Sequence, residues 1–241
     1  MALDGSTEKI SFTLDGKTVS AAPGETIWQV AQGNGIDIPH LCYAPSPGYR
    51  ADGNCRACMV EIEGERVLAA SCIRRPEDGM VVQSGSARAT SARKMVFELL
   101  IADQPSREKT HNKGSQFWSW AERLDIEKSR FPAQIALEPD LSHPAMAVNL
   151  DACINCTLCI RACREVQVND VIGMAGRGAE AKIVFDFDDP MGNSTCVACG
   201  ECVQACPTGA LLPSTVTSSD GLIQPDRQID SICPYCGVGC Q

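Results

Sequence analysis

Two cysteine runs restrict this chain more than any other stretch: Cys153 to Cys163 (C-I-N-C-T-L-C-I-R-A-C) and Cys196 to Cys206 (C-V-A-C-G-E-C-V-Q-A-C). Each reads Cys-x2-Cys-x2-Cys-x3-Cys, and a proline follows the second. Zinc usually takes Cys pairs divided by a longer spacer, not four cysteines packed into eleven residues. The spacing is that of iron–sulfur ligation, and it occurs twice, so an inorganic core for each run is expected rather than a zinc site or a disulfide scaffold.

Composition narrows the setting. The chain has 241 residues, 15 of them Cys, an odd number held in tight spacings. Met1-Ala-Leu-Asp-Gly-Ser has neither a basic start nor an apolar stretch, so no signal peptide is expected. Bare thiols indicate a reducing compartment, and the expected location is the cytoplasm. No apolar run approaches membrane-spanning length. The net charge of −9 argues against nucleic-acid and anionic-membrane partners. Only 5% of residues are aromatic, a sparse supply for an organic core, but metal ligation itself supplies folding free energy.

The paired runs resemble the two-cluster bacterial ferredoxin, α+β with short strands, in which the fourth Cys of each run begins a helix and ligates the other cluster. That resemblance assigns one [4Fe–4S] cubane to Cys153, Cys156, Cys159 and Cys206. The other falls to Cys196, Cys199, Cys202 and Cys163. Further upstream, Ile10 to Leu14 and Lys17 to Ala21 read as strands joined at Asp15-Gly16. Glu25 to Gln32 reads as a helix with Ile27, Val30 and Ala31 on one face. Met59 to Ile62 and Arg66 to Ala70 read as a second hairpin, and Met80 to Gln83 as a closing strand. Among these elements lie Cys42, Cys55, Cys58 and Cys72, four thiols that can hold a [2Fe–2S] cluster, two per iron. Gly53 and Asn54 beside the middle pair leave backbone N–H groups free to turn toward sulfur. The unit, residues 1–83, is expected to be a β-grasp ferredoxin domain. It resembles the [2Fe–2S] domain of the complex I large iron–sulfur subunit, of [FeFe] hydrogenases and of NAD-dependent formate dehydrogenases.

Residues 84–140 are expected to form a helical connector. Ser86 to Asp103 reads as a helix capped by Ser86, with Met95, Val96, Leu99 and Leu100 at core spacing. The resembling families often carry H-x3-C-x2-C-x5-C here, but no cysteine occurs from 73 to 152, so that cluster is absent. His40, His111 and His143 are read as ordinary surface histidines. Phe117, Trp118 and Trp120 are read as packing against a neighbouring domain. Pro139 to Pro144 reads as a linker into the double-cluster domain, residues 141–215. Ala147 to Leu150 is expected as a strand, Arg161 to Val166 as a helix and Lys182 to Phe187 as a strand. Gly173-Met-Ala-Gly-Arg-Gly lacks the Gly-Lys-Ser/Thr ending of a phosphate loop and reads as a turn. Pro213 to Pro225 reads as an extended link.

The last stretch supplies Cys233, Cys236 and Cys240, three thiols for a further [4Fe–4S] cluster that wants a fourth. Cys-Pro-Tyr-Cys-Gly-Val-Gly-Cys resembles the opening of the catalytic domain of molybdenum- or tungsten-dependent formate dehydrogenases. The resemblance covers nearly the whole chain in matching order, with residues 226–241 as the start of the catalytic domain. It implies the alpha subunit of a cytoplasmic NAD-dependent enzyme. The rest of that subunit would contain Mo- or W-bis-MGD, and a partner iron–sulfur subunit would contain FMN and NAD. This stretch contains no catalytic residue: formate chemistry would lie beyond Gln241. Three rivals remain: the same wiring in a hydrogenase or complex I, a self-contained electron carrier, and a zinc scaffold.

Overall fold

A computed structural model describes residues 9–133, 137–218, 221–223, 225–227 and 229–232. Strands β1 (Ile10–Leu14) and β2 (Lys17–Ala21) pair antiparallel across Asp15 and Gly16, both of which take positive φ. Inward residues alternate along both strands: Phe12, Leu14, Val19 and Ala21 are buried. Helix α1 (Ile27–Gly33) starts at a capping box. Thr26 accepts from the Gln29 backbone N–H, and the Gln29 side chain accepts from the Thr26 backbone N–H. Its buried face is Ile27, Trp28, Val30 and Ala31. Strand β3 (Met59–Ile62) pairs antiparallel with β4, which is only Ala69–Ala70 rather than the expected Arg66 to Ala70. Strand β5 (Val81–Gln83) runs parallel to β1 and antiparallel to β3, so it sits at the centre of the sheet, not at its edge. The order β2-β1-β5-β3-β4 is that of a β-grasp sheet.

Helix α2 (Ala87–Ala102) begins at Ser86, whose hydroxyl accepts from Ala89 N–H at 3.1 Å. Its buried stripe is Ala89, Arg93, Phe97 and Ile101, one residue every four. The expected core face is therefore incorrect: Met95 and Leu99 are exposed and only Val96 and Leu100 are partly covered. The face is chosen by the partner. Phe97 stacks on Phe117 of helix α3 (Gln116–Arg123), and the Arg93 guanidinium donates to Met59 O at 2.8 Å. Removing the cap, Ser86→Ala, should lower stability by about 1 kcal/mol in denaturant unfolding, with the secondary-structure signal of the native state unchanged.

Helix α3 packs Phe117, Trp118, Trp120 and Ala121 against Leu41, Ala57, Phe97 and Ile101, with Cys55 and Ile154 at the margin. It thus touches the cysteine loops of both halves of the chain. None of the histidines lies free on the surface. His111 Nε2 is 3.0 Å from Asp151, His143 is buried, and His40 lies edge-on to Trp28 while Gln116 Nε2 sits 2.9 Å from its ring. Each is satisfied within the fold, which corrects the surface reading.

In the second half, strand β6 (Met146–Val148) pairs antiparallel with β9 (Leu211–Pro213). Residues 139–144 are no loose linker, because Asp140 bridges to Val148 and its carboxylate accepts from Met191 N–H. The chain then enters helix α4 (Leu158–Arg161), earlier than expected, and widens into a π-helical turn over Ala162–Val166. Strands β7 (Ile172–Ala175) and β8 (Lys182–Phe185) form a hairpin, so the glycine stretch is half strand and only Gly176 onward is turn. Helix α5 (Glu201–Ala205) precedes Cys206. Past β9, a short 3-10 turn at Ser214–Val216 and a strand at Thr217–Ser218 replace the expected extended link. Among the described residues no helix is long and apolar enough to cross a membrane.

Candidate metal centre

The two cysteine runs fold alike because their backbones bend at the same steps. Two residues after the first Cys, Asn155 and Ala198 take φ of 51° and 59°. Four residues after it, Thr157 and Gly200 take 62° and 78°. Left-handed residues curl the chain into a concavity of inward N–H groups. Asn155 N–H points at Cys153 Sγ and Ala198 N–H at Cys196 Sγ, both at 3.4 Å. Val171 N–H points at Cys163 Sγ at 3.3 Å. Such donors favour sulfur that carries negative charge.

The third and fourth cysteines depart from expectation. Cys159 and Cys202 lie inside α4 and α5 rather than on the loops. Cys163 lies in the π turn after α4, and Cys206 is the C-cap of α5, so the fourth Cys follows its helix instead of beginning it. Cys163 stands on the π turn and Cys206 at a plain helix C-terminus, yet each lines the cavity of the other run.

The thiols gather in two crossed groups. Cys153, Cys156, Cys159 and Cys206 line one cavity of about 380 Å³ with its mouth, walled by Leu150, Ile154, Ile183 and Leu211. Cys163, Cys196, Cys199 and Cys202 line another of about 310 Å³, walled by Met146, Val171, Ile172 and Met191. Four sulfurs ranged around an apolar space can hold a multi-atom core. Burial pushes Cys153 up to about 11 and Cys202 up to about 12, and raises Cys156 and Cys159 as well. These sulfurs stay protonated until a cation replaces the proton.

The third group belongs to the first half. Cys42 N–H points at Cys55 Sγ and Cys55 N–H at Cys42 Sγ, each at 3.4 Å, while the Cys58 and Cys72 sulfurs lie 3.4 Å apart. Arg56, at φ 60°, makes the bend between Cys55 and Cys58. Sharing protons with Cys55 and Cys72 holds Cys42 below the ordinary thiol range. None of the twelve described cysteines is in a disulfide. Cys233, Cys236 and Cys240 lie outside the described residues.

Cys42 and Cys156 share one apolar cluster with Leu158, flanked by Cys55, Tyr49 and Ile154, so the first group adjoins the Cys153 group. The Cys153 and Cys163 groups interleave around Met146, Val148 and Leu211. Polar ties cross the same seam: Tyr49 Oη donates to Glu201 at 2.8 Å, and Thr157 Oγ1 donates to Asp52 at 3.0 Å. Sequence reasoning did not single out Arg161, the buried cation of this seam. The one hint was its place in C-I-R-A-C, where the second run has Gln204.

Comparison with known proteins gives the class. Residues 7–87 match the 2Fe-2S iron-sulfur cluster binding domain, and residues 152–210 match the 4Fe-4S dicluster domain. The chain therefore combines a [2Fe–2S] domain with a [4Fe–4S] dicluster domain. Among individual relatives, the NADP-reducing hydrogenase subunit HndD of Solidesulfovibrio fructosivorans is 37% identical over 91% of this chain and 39% of its own length. The mitochondrial NADH-ubiquinone oxidoreductase 78 kDa subunit of Candida albicans is 31% identical over 84% of this chain and 28% of its own. A chain in the crystal structure of NAD+-reducing [NiFe]-hydrogenase in the H2-reduced state superposes with a TM-score of 0.75 at 28% identity, covering 86% of this chain and 88% of that one. This chain spans about two-fifths or less of the length of those two curated relatives.

Proposed function

We propose that this chain is the electron-transfer part of a formate dehydrogenase alpha subunit, relaying electrons between a Mo- or W-bis-MGD centre and a flavin/NAD subunit. The observation that carries the relay is the contact between successive thiol groups, Cys42 to Cys156 and then across the shared core to Cys163. On this reading Cys42, Cys55, Cys58 and Cys72 hold [2Fe–2S], and the two crossed quartets hold [4Fe–4S]. Cys233, Cys236 and Cys240 serve a further cubane. Bound clusters take up and release single electrons with little movement of their thiolate cage. The protein's part is to fix the sulfurs, exclude water with Leu, Ile and Met walls, and aim N–H groups at sulfur. The formate reading rests on the Cys233-Pro-Tyr-Cys-Gly-Val-Gly-Cys240 resemblance.

A second reading is favoured by the 37% identity to a hydrogenase subunit: the same relay attached to a hydrogen-splitting centre. The full-length protein, purified anaerobically with its partners, decides between them. Formate-dependent NAD+ reduction together with bound molybdenum or tungsten is the expected result. Hydrogen-dependent reduction without either metal would put the chain with the hydrogenases, and absence of acid-labile sulfide would remove the relay altogether.

A further inference from the structure

Arg161 ends helix α4 and is 1% exposed, the most deeply buried charged residue among those described. Its Nη2 donates to the backbone carbonyl of Cys42 at 2.7 Å and to that of Cys156 at 3.1 Å. Its Nη1 donates to Arg50 O. Nε lies 3.0 Å from Asp52 Oδ2, close enough for an ion pair but off the line of a hydrogen bond. Asp52 is also paired with Arg50, which in turn reaches Glu165 at 3.0 Å. A single nitrogen thus joins a cysteine of the [2Fe–2S] group to a cysteine of the neighbouring cubane group. The repeat gives a built-in comparison: Gln204 stands at the equivalent place in the second run and is exposed.

We propose that Arg161 is a positioning residue that locks these two cluster sites together and raises the reduction potentials of both. The inference rests on the reading that the two cysteine groups hold clusters. A cluster gains one negative charge on reduction, and a buried cation hydrogen-bonded to its ligands' carbonyls stabilises that state more than the oxidised one. Arg161 acts on two centres at once because it bonds a ligand residue of each. The Cys163, Cys196, Cys199 and Cys202 group has no hydrogen bond from it among the described residues, although Cys163 lies two residues on, and should respond more weakly.

The test is EPR-monitored redox titration of the holo protein, read with iron and sulfide content. Arg161→Gln removes the charge and should shift the [2Fe–2S] and first cubane potentials to more negative values. The magnetic interaction between those two reduced clusters should weaken, while the second cubane stays in place. Asp52→Asn removes the countercharge from the same guanidinium and should shift the same two potentials upward. Shifts of opposite sign in the two variants, larger at these two clusters than at the third, are not produced by general loosening. If Arg161→Gln fails to load iron, Asp52→Asn alone decides. Unchanged potentials in loaded protein, or a shift of only the second cubane, would overturn the proposal while leaving the relay intact. Wild-type protein without labile sulfide would instead overturn the relay reading.

Discussion

Replacing Cys206 by Ala should abolish the cubane anchored at Cys153, Cys156 and Cys159 and spare the one anchored at Cys196, although Cys206 belongs to the second run. Cys206 lines the first cavity beside those three thiols and is absent from the lining of the other. Cys163→Ala should do the reverse. The two losses can be told apart by position. Among the described residues the first cavity adjoins the [2Fe–2S] group, through the apolar cluster that Cys156 shares with Cys42 and Leu158. Reduced Cys206→Ala protein should therefore lose the magnetic coupling between its [2Fe–2S] signal and a [4Fe–4S] signal, and Cys163→Ala protein should keep it. Each variant should lose one cubane's share of iron and sulfide. Retained coupling in the first variant and lost coupling in the second would mean the cysteines ligate within their own runs. Because ligation contributes folding free energy, each variant should also unfold at lower denaturant concentration than wild type.

Much of this organisation was legible in the sequence for a simple reason: cysteine spacing reports loop geometry directly. The hairpin at Asp15-Gly16 depended on short-range turn chemistry, whereas placing Cys206 with the first run came from the resemblance to a two-cluster ferredoxin and not from local spacing. What escaped notice depended on the partner. Apolar residues surround helix α2, with Met95, Val96 and Phe97 followed by Leu99, Leu100 and Ile101, so periodicity alone did not select a face. The π turn that holds Cys163 has no local signature. His111 and His40 were read as surface because their partners, Asp151 and Gln116, are remote in sequence. Arg161 was hidden for the same reason: its acceptors lie 119 and 111 residues upstream, at Cys42 and Arg50, and nothing in C-I-R-A-C announces them. The seam between the two halves is thus the least legible region of the chain.

That seam also sets the largest packing effect. Phe97→Ala should destabilise the protein by about 3–5 kcal/mol, the range for truncating a buried aromatic, whereas Leu99→Ala should change stability by no more than about 0.5 kcal/mol. Phe97 is fully buried, and its ring stacks on Phe117 with centroids 5.6 Å apart and planes 23° from parallel. Phe117 in turn meets Trp118 edge-on at 5.3 Å, and its N–H donates to Pro207 O at 2.9 Å, next to Cys206. The cavity left by Phe97 would open beneath the helix that supports the Cys206 end of the first cubane site. Leu99, two residues on, points to solvent at 47% exposure and leaves no void when shortened. Denaturant unfolding of the iron-loaded protein checks both values. Comparable losses from the two variants, or a larger one from Leu99→Ala, would restore the face read from periodicity and contradict the stacking of α2 on α3. The same Phe97→Ala protein should release iron from its first cubane sooner than wild type under chelator challenge, because the support lost lies under Pro207 rather than under the Cys196 loop.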